Sequence, residues 1–223
     1  MRNLSLNAPV LTIDGPSGAG KGTVSRLVAK TLGWHYLDSG SIYRSLAIAV
    51  QKKMIDLTDV KAIVSAAEAM VLEFECGDEL IVTLNGEDIT HQLGLEATGS
   101  IASQVAVLPE VRQVLLQKQK DFRQLPGLVA DGRDMGTVVF PDAENKVFLT
   151  ASAEKRAERR YKQLIEKEID ANLARITSEI EARDRRDMDR ETAPLAMAKE
   201  ALYIDSSDMP ITAVIEEVLN LIR

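Results

Sequence analysis

Apolar positions along this chain follow two rhythms. Val10 to Ile13 is a short apolar run ending at Asp14-Gly15, as a buried parallel strand would. Glycines follow, and then Val24, Leu27, Val28 and Leu32 recur at helical spacing. The same spacing predicts helices from about Ile42 to Val50 and from Val60 to Val71. The rhythm then switches to period two, with Leu72, Phe74 and Cys76 followed by Leu80, Val82 and Leu84. Gly77-Asp78 and Asn85-Gly86 between them suit two-residue hairpin turns, and Ile89 would close a third short strand. Helical spacing resumes over Ile101 to Val107 and Val111 to Phe122, separated by Pro109 and stopped at Pro126-Gly127. Leu128 to Ala130 reads as a strand running into Asp131-Gly132-Arg133-Asp134, and Val147 to Leu149 as another. A long charged helical stretch, a strand at Leu202 to Ile204 and a helix from Ile211 to Ile222 complete the chain. Strands alternating with helices predict an α/β fold, a parallel sheet with helices on both faces. The antiparallel meander of about residues 72–90 interrupts it as an insert.

Composition narrows the class. A chain of 223 residues suits one medium unit with inserts. With 45% hydrophobic residues, a core that stands without disulfides is expected. The single cysteine, Cys76, allows no intramolecular disulfide and fits a reducing cytoplasm. Its alternation with Leu72 and Phe74 marks it as a buried small hydrophobe and not a nucleophile. Met1 to Asn7 lacks the apolar stretch of a signal peptide, and no run reaches the length of a membrane span. A cytoplasmic monomer with no membrane partner is therefore expected. The net charge of −7 and 4% aromatic content argue against a nucleic-acid partner. Charge is uneven, however. Residues 154–190 carry 11 Lys/Arg against 10 Asp/Glu, and four arginines crowd into 183–190, too dense for an ordinary solvated face.

The strongest chemical signal is Gly15-Pro16-Ser17-Gly18-Ala19-Gly20-Lys21-Gly22-Thr23. Four glycines let the backbone turn tightly and aim its N–H groups at a phosphate chain. The helix that follows adds the positive end of its dipole. Lys21 can reach the outer phosphates of ATP and neutralise charge during transfer. Where the common motif has Ser or Thr directly after the lysine, this chain has Gly22 and then Thr23, an ending that resembles adenylate kinase and its relatives. Asn145-Lys146 runs into Val147-Phe148, without the spaced aspartate of a guanine-reading motif, so a GTPase switch is disfavoured.

From Trp34-His35-Tyr36-Leu37-Asp38-Ser39-Gly40-Ser41-Ile42-Tyr43-Arg44 onward the chain closely resembles the bacterial cytidylate kinases. The resemblance continues through Ala102-Ser103-Gln104-Val105, Arg112, Asp131 to Thr137 and Arg183 to Arg190, and takes in the inserted meander. It implies a single unit over 1–223, with an acceptor-side region at 39–127 and a helical lid at about 151–186. It further implies transfer of the γ-phosphoryl group from ATP to CMP, and to dCMP as well. Arg44, Arg133 and Arg190 are carried over as the grip on the acceptor phosphate, with Ser39 and Asp131 near phosphate and sugar. Ser103, Arg112 and Asp187 are carried over to the cytosine, and Arg183 and Asp187 to the sugar.

Chemistry gives these residue types suitable work. A dianionic acceptor must approach a donor bearing four negative charges, and guanidinium forks match phosphate oxygens. Arg156, Arg159 and Arg160 fall within the lid that the resemblance implies, where they would meet ATP. Of the three, Arg160 is the choice for stabilising the phosphoryl group in flight. Magnesium is expected to bridge the donor phosphates, with Asp14 and Asp134 as candidate ligands at strand ends. No base is required, because the attacking phosphate oxygen is already ionised. Three other readings stay open at this point: a monophosphate kinase of different base preference, an ATP-binding regulator of weak catalytic power, and a nucleic-acid-binding ATPase, the last disfavoured by charge and low aromatic content.

Overall fold

The computed structural model describes residues 8–76, 80–166 and 168–222. Five parallel strands form the main sheet: β1 (Val10–Asp14), β2 (His35–Asp38), β6 (Leu128–Gly132), β7 (Asn145–Thr150) and β8 (Leu202–Asp205). Their order is β2-β6-β1-β7-β8, so the chain leaves the central β1 and returns on both sides of it. In such sheets ligands gather beyond the carboxyl ends of the strands where the order reverses. The register sets Asp14 beside Gly132 and Asp38 beside Asp131 at that end.

Alternation along β1 and β6 divides the core. Leu11, Ile13 and Val129 pack with α1 (Lys21–Leu32) and α9 (Ile211–Leu221). Val10, Leu128 and Ala130 pack on the other face with α2 (Ser39–Lys52), α3 (Val60–Ala69) and α6 (Pro109–Lys120). The insert is a three-stranded antiparallel sheet, β3 (Leu72–Cys76), β4 (Leu80–Leu84) and β5 (Glu87–Asp88). Asn85 and Gly86 both have positive φ, +52° and +83°, as a two-residue turn of right-handed twist demands. The Gly77-Asp78 turn and the side chain of Cys76 lie outside the described residues.

Several expectations shift. The third strand ends at Asp88, whose Oδ1 accepts the Thr90 N–H at 2.8 Å and turns the chain into the short α4 (Thr90–Leu93). Ile89 is fully buried at this corner, just past the strand's end, and its N–H still donates to the Val82 carbonyl of β4 at 3.0 Å. The helix expected from Ile101 begins earlier, as α5 (Glu96–Val105), and Pro109 opens α6 as its first residue. The helix expected to reach Val71 stops at Ala69 and leaves Val71 exposed. The long charged stretch is two helices, α7 (Ala153–Glu166) and α8 (Leu173–Asp189), the second capped by the Asn172 side chain accepting the Arg175 N–H. Strand β2 and a π-type turn at Met135–Val139 have no counterpart among the sequence expectations.

Gly15 ties β1 to β7. Its φ is +149°, and a Cβ there would sit 1.9 Å from the Leu149 carbonyl oxygen, an overlap with backbone that no rotamer relieves. Gly15→Ala is expected to cost about 3 kcal/mol or more and to lower the midpoint of thermal unfolding by roughly 10 °C. An unchanged melting curve would mean that the two strands part more easily than this contact implies.

Candidate active site

The loop after β1 carries its chemistry in backbone. Gly18 and Gly20 have φ of +80° and +93°, which turns the chain directly into α1. Gly20 caps α1 with no side-chain hydrogen bond, so no side chain competes for the first N–H groups of the helix. Lys21 is buried, and its ammonium donates to the Pro16 carbonyl at 3.0 Å. Burial, and next the Arg133 guanidinium, push its pKa down, while Asp131 and Asp38 pull it back up. A cleft of about 510 Å³ opens over this loop, with Lys21, Thr23, Asp38, Asp131 and Arg159 among its walls.

Asp131 is the buried carboxylate of that cleft. It accepts the Tyr36 hydroxyl at 2.7 Å, and burial followed by the charge of Asp38 raises its pKa. A Cβ on Gly22 would lie 3.6 Å from the Tyr36 hydroxyl and 3.7 Å from this carboxylate. The place where other phosphate loops carry Ser or Thr thus faces the Tyr36–Asp131 pair.

The two expected magnesium ligands are otherwise engaged. Both oxygens of Asp14 accept backbone N–H groups, from Met135 and Gly136, at 2.8 Å each. Burial pushes its pKa up to about 6 in spite of those bonds. Asp14 therefore holds the π-type turn against β1, and it is not among the residues that line the cleft. Asp134 is ion-paired to Arg112 and lies 3.8 Å from Arg190, in a different pocket. Among the described residues no cluster of three or more His, Cys, Asp or Glu could hold a metal by itself. The donor set does fit a magnesium carried on nucleotide phosphates and water, with Asp38, Asp131 and Thr23 among the oxygen groups on the cleft wall.

The residues expected on the acceptor side converge. Ser39, Arg44, Ser103, Arg112, Arg133, Arg183, Asp187 and Arg190 line one pocket, together with Tyr43 and Asp134. Arg44, Arg133 and Arg183 also line the phosphate-loop cleft, so these three stand where the two spaces meet. The cations crowd one another. Burial, and after it Arg133 and Arg44, lower Arg183 to about 10. Burial alone would lower Arg133 as well, but the Asp187 carboxylate, 2.7 Å from its Nε, holds it up. Asp187 is held low by the same contact, against its own burial.

Seven buried side-chain polar atoms among the described residues have no hydrogen-bond partner, and four of them line this pocket: Tyr43 Oη, Ser103 Oγ, Arg183 Nε and Arg190 Nη2. Orphaned buried donors cost about 1–3 kcal/mol each, so their concentration here marks a place built for a polar ligand. Tyr43 was not singled out from sequence. Its signal was its position, four residues after Ser39 on α2 and so on the same face. Its ring lies under the Arg112 guanidinium at 5.8 Å, and burial raises its hydroxyl to about 12, which keeps it a donor.

The lid arginines separate. Arg159 lines the phosphate-loop cleft and donates to the Ser206 carbonyl at 2.5 Å. Arg156 is buried, bridging the Ser17 carbonyl at 3.0 Å to Asp184 of α8 through both terminal nitrogens. Arg160 faces a second cleft, of about 680 Å³, and sits 3.5 Å from Glu96 of α5. Of the three, Arg159 alone lines the cleft over Lys21; Arg156 touches the loop at Ser17 but lines the second cleft with Arg160.

A phosphate loop at the switch point of a parallel sheet, joined through arginines to a polar pocket, defines a phosphoryl-transfer enzyme of the phosphate-loop class. A solved structure of an uncharacterised protein from Eubacterium ventriosum shares the fold, with a TM-score of 0.50 and 9% identity over 96% of this chain and 97% of that one. The family model described as "Cytidylate kinase" matches residues 11–223. A cytidylate kinase of Methylococcus capsulatus is 54% identical over 96% of this chain and 97% of its own. One of Colwellia psychrerythraea is 53% identical over 96% and 95%. The chain belongs to the cytidylate kinase family.

Proposed function

We propose that the pocket beside the phosphate-loop cleft takes CMP, and dCMP with it, and that the protein moves the γ-phosphoryl group of ATP onto the acceptor phosphate, giving CDP and ADP. The four orphaned polar atoms that line this pocket carry the assignment. The acceptor phosphate sits against Arg44 and Arg133 at the meeting of the two spaces and reaches towards Arg190 inside the pocket, with Arg183 towards the sugar. Lys21 accompanies the migrating phosphoryl group. The attacking oxygen needs no base, so positioning and charge stabilisation carry the reaction. Asp38, Asp131 and Thr23 would face a magnesium carried on the donor phosphates, which would supply charge neutralisation. Helices α7 and α8 form the lid, with Arg159 and Arg156 on the ATP side and Arg160 brought in only as the lid closes.

The base end differs from the carry-over by resemblance. Asp187 pairs with Arg133, which also lines the phosphate-loop cleft, whereas Asp134 pairs with Arg112, which does not, and lies with it and Ser103 in one buried group. A carboxylate beside a guanidinium offers an acceptor next to donors. Cytosine offers the complement, an exocyclic amine next to the ring nitrogen acceptor. Asp134 is therefore assigned to the base and Asp187 to the sugar side.

Initial rates with CMP, UMP, AMP and GMP test the reading, with CMP expected to be the fastest. Arg190→Ala, and likewise Arg133→Ala, is expected to raise KM for CMP and lower its kcat/KM by at least about tenfold, the worth of a charged hydrogen bond. The ATP Kd should move less than about twofold. Equal losses on both substrates would move these residues to the donor side.

A further inference from the structure

Gln119 and Ser39 form a pair that settles which way a hydroxyl points in the acceptor pocket. Gln119 lies on α6 and is 2% exposed. Its Nε2 donates to the Leu115 carbonyl at 3.2 Å. A carbonyl oxygen cannot donate, so the amide nitrogen must take that side. Oε1 is thereby turned towards Ser39, whose hydroxyl donates to it at 2.7 Å. An amide oxygen carries no proton, so the single proton of Ser39 is committed to Gln119. The Ser39 oxygen, on the wall of the acceptor pocket, has only lone pairs left for a ligand.

Its surroundings point the same way. The neighbouring Asp38 carboxylate caps α2 by accepting the Ser41 N–H at 3.1 Å and the Ser41 hydroxyl at 2.5 Å. One of the helix's amide donors is thus already taken by a negative group. A proton-free oxygen beside a carboxylate repels a phosphate oxygen and suits an O–H donor. We infer that Gln119 is a positioning residue, which makes Ser39 the acceptor for a hydroxyl of the acceptor's sugar and bars it from donating to the phosphate. The inference rests on the CMP reading above and assigns Ser39 within it.

The test compares CMP, 2′-deoxy-CMP and 3′-deoxy-CMP as acceptors for the wild type, Ser39→Ala, Gln119→Met and the double variant. In each single variant kcat/KM for CMP should fall about fivefold, mainly through KM, the worth of one neutral hydrogen bond. The analogue that lacks the contacted hydroxyl should change by less than about twofold. In the double variant Gln119→Met should add nothing to Ser39→Ala, since the first acts through the second. A merely structural role for Gln119 would lower all three acceptors together and would add to Ser39→Ala. Equal losses on all three acceptors, or none, overturn the inference. If Gln119→Met does not fold, the acceptor profile of Ser39→Ala decides by the same criterion. A wild type that does not use CMP fails at the first measurement, sinks the functional reading and takes this inference with it. A wild type that uses CMP while the variants lose every acceptor alike sinks this inference alone.

Discussion

Lys21→Met is expected to keep the fold and lose turnover, with kcat down on the order of 10³-fold or more. The side chain is buried at the mouth of the loop with one hydrogen bond to the Pro16 carbonyl, so methionine can fill its volume. What methionine cannot supply is a positive charge on the phosphoryl group as it moves. Burial and the Arg133 guanidinium already press the ammonium towards its neutral form, so the charge is held there against a cost. Deleting it should therefore spare stability: the thermal midpoint is expected within roughly 3 °C of the wild type, about 1 kcal/mol. Circular dichroism, a melting curve and single-turnover rates check the three parts. Turnover at the wild-type rate would remove Lys21 from the chemistry, and loss of the fold would make it a structural residue.

The second large effect is base choice. Uracil reverses the pattern that Asp134 and Arg112 present, with an oxygen where cytosine has its amine and a proton where cytosine has a lone pair. UMP would set carbonyl against carboxylate and N–H against guanidinium. Sites built on such bonds reject the wrong analogue by roughly 10⁴ in the best cases. Ser103, Arg112 and Asp134 are 6%, 7% and 3% exposed, which leaves little water to soften the penalty. We expect kcat/KM for CMP to exceed that for UMP by at least about 10², with AMP and GMP poorer still because purines overfill a pyrimidine pocket. Asp134→Asn should collapse the ratio, since its amide can turn either group to the base and so regains UMP as it loses CMP. Asp187→Ala should lower both pyrimidines alike, because its partner is Arg133. If the ratio collapses on Asp187→Ala and survives Asp134→Asn, the two carboxylates exchange roles.

How far the sequence could be read depends on how local each signal was. The phosphate loop, its flanking strand and helix, the meander with its Asn85-Gly86 turn and the closing helix were all legible, because turn chemistry and side-chain period act over a few neighbouring residues. Strand β2 was not: only Tyr36 and Leu37 of its four residues are buried, too short a run to show a rhythm. The arginines of the acceptor pocket were legible as a cluster of types that no ordinary surface carries.

The carboxylates were not legible as individuals. Asp14 and Asp134 both stand at strand ends and look equally suited to magnesium. Their difference lies in partners across the chain: the N–H groups of Met135 and Gly136 for Asp14, and the Arg112 guanidinium for Asp134. Tyr43 and Gln119 were silent for the same reason, as a tyrosine and a glutamine on helices until packing buried them. The three lid arginines share one short segment, yet one faces the phosphate loop's cleft, one bridges that loop to α8 and one meets Glu96. The sequence by itself determined the class of chemistry, because the phosphate cradle and the supply of arginines are written in contiguous motifs. Only the tertiary structure decided which carboxylate pairs with which guanidinium and which hydroxyl is left with lone pairs. A hydrogen bond is spent on whichever partner folding brings within about 3 Å, and that partner can lie anywhere in the chain.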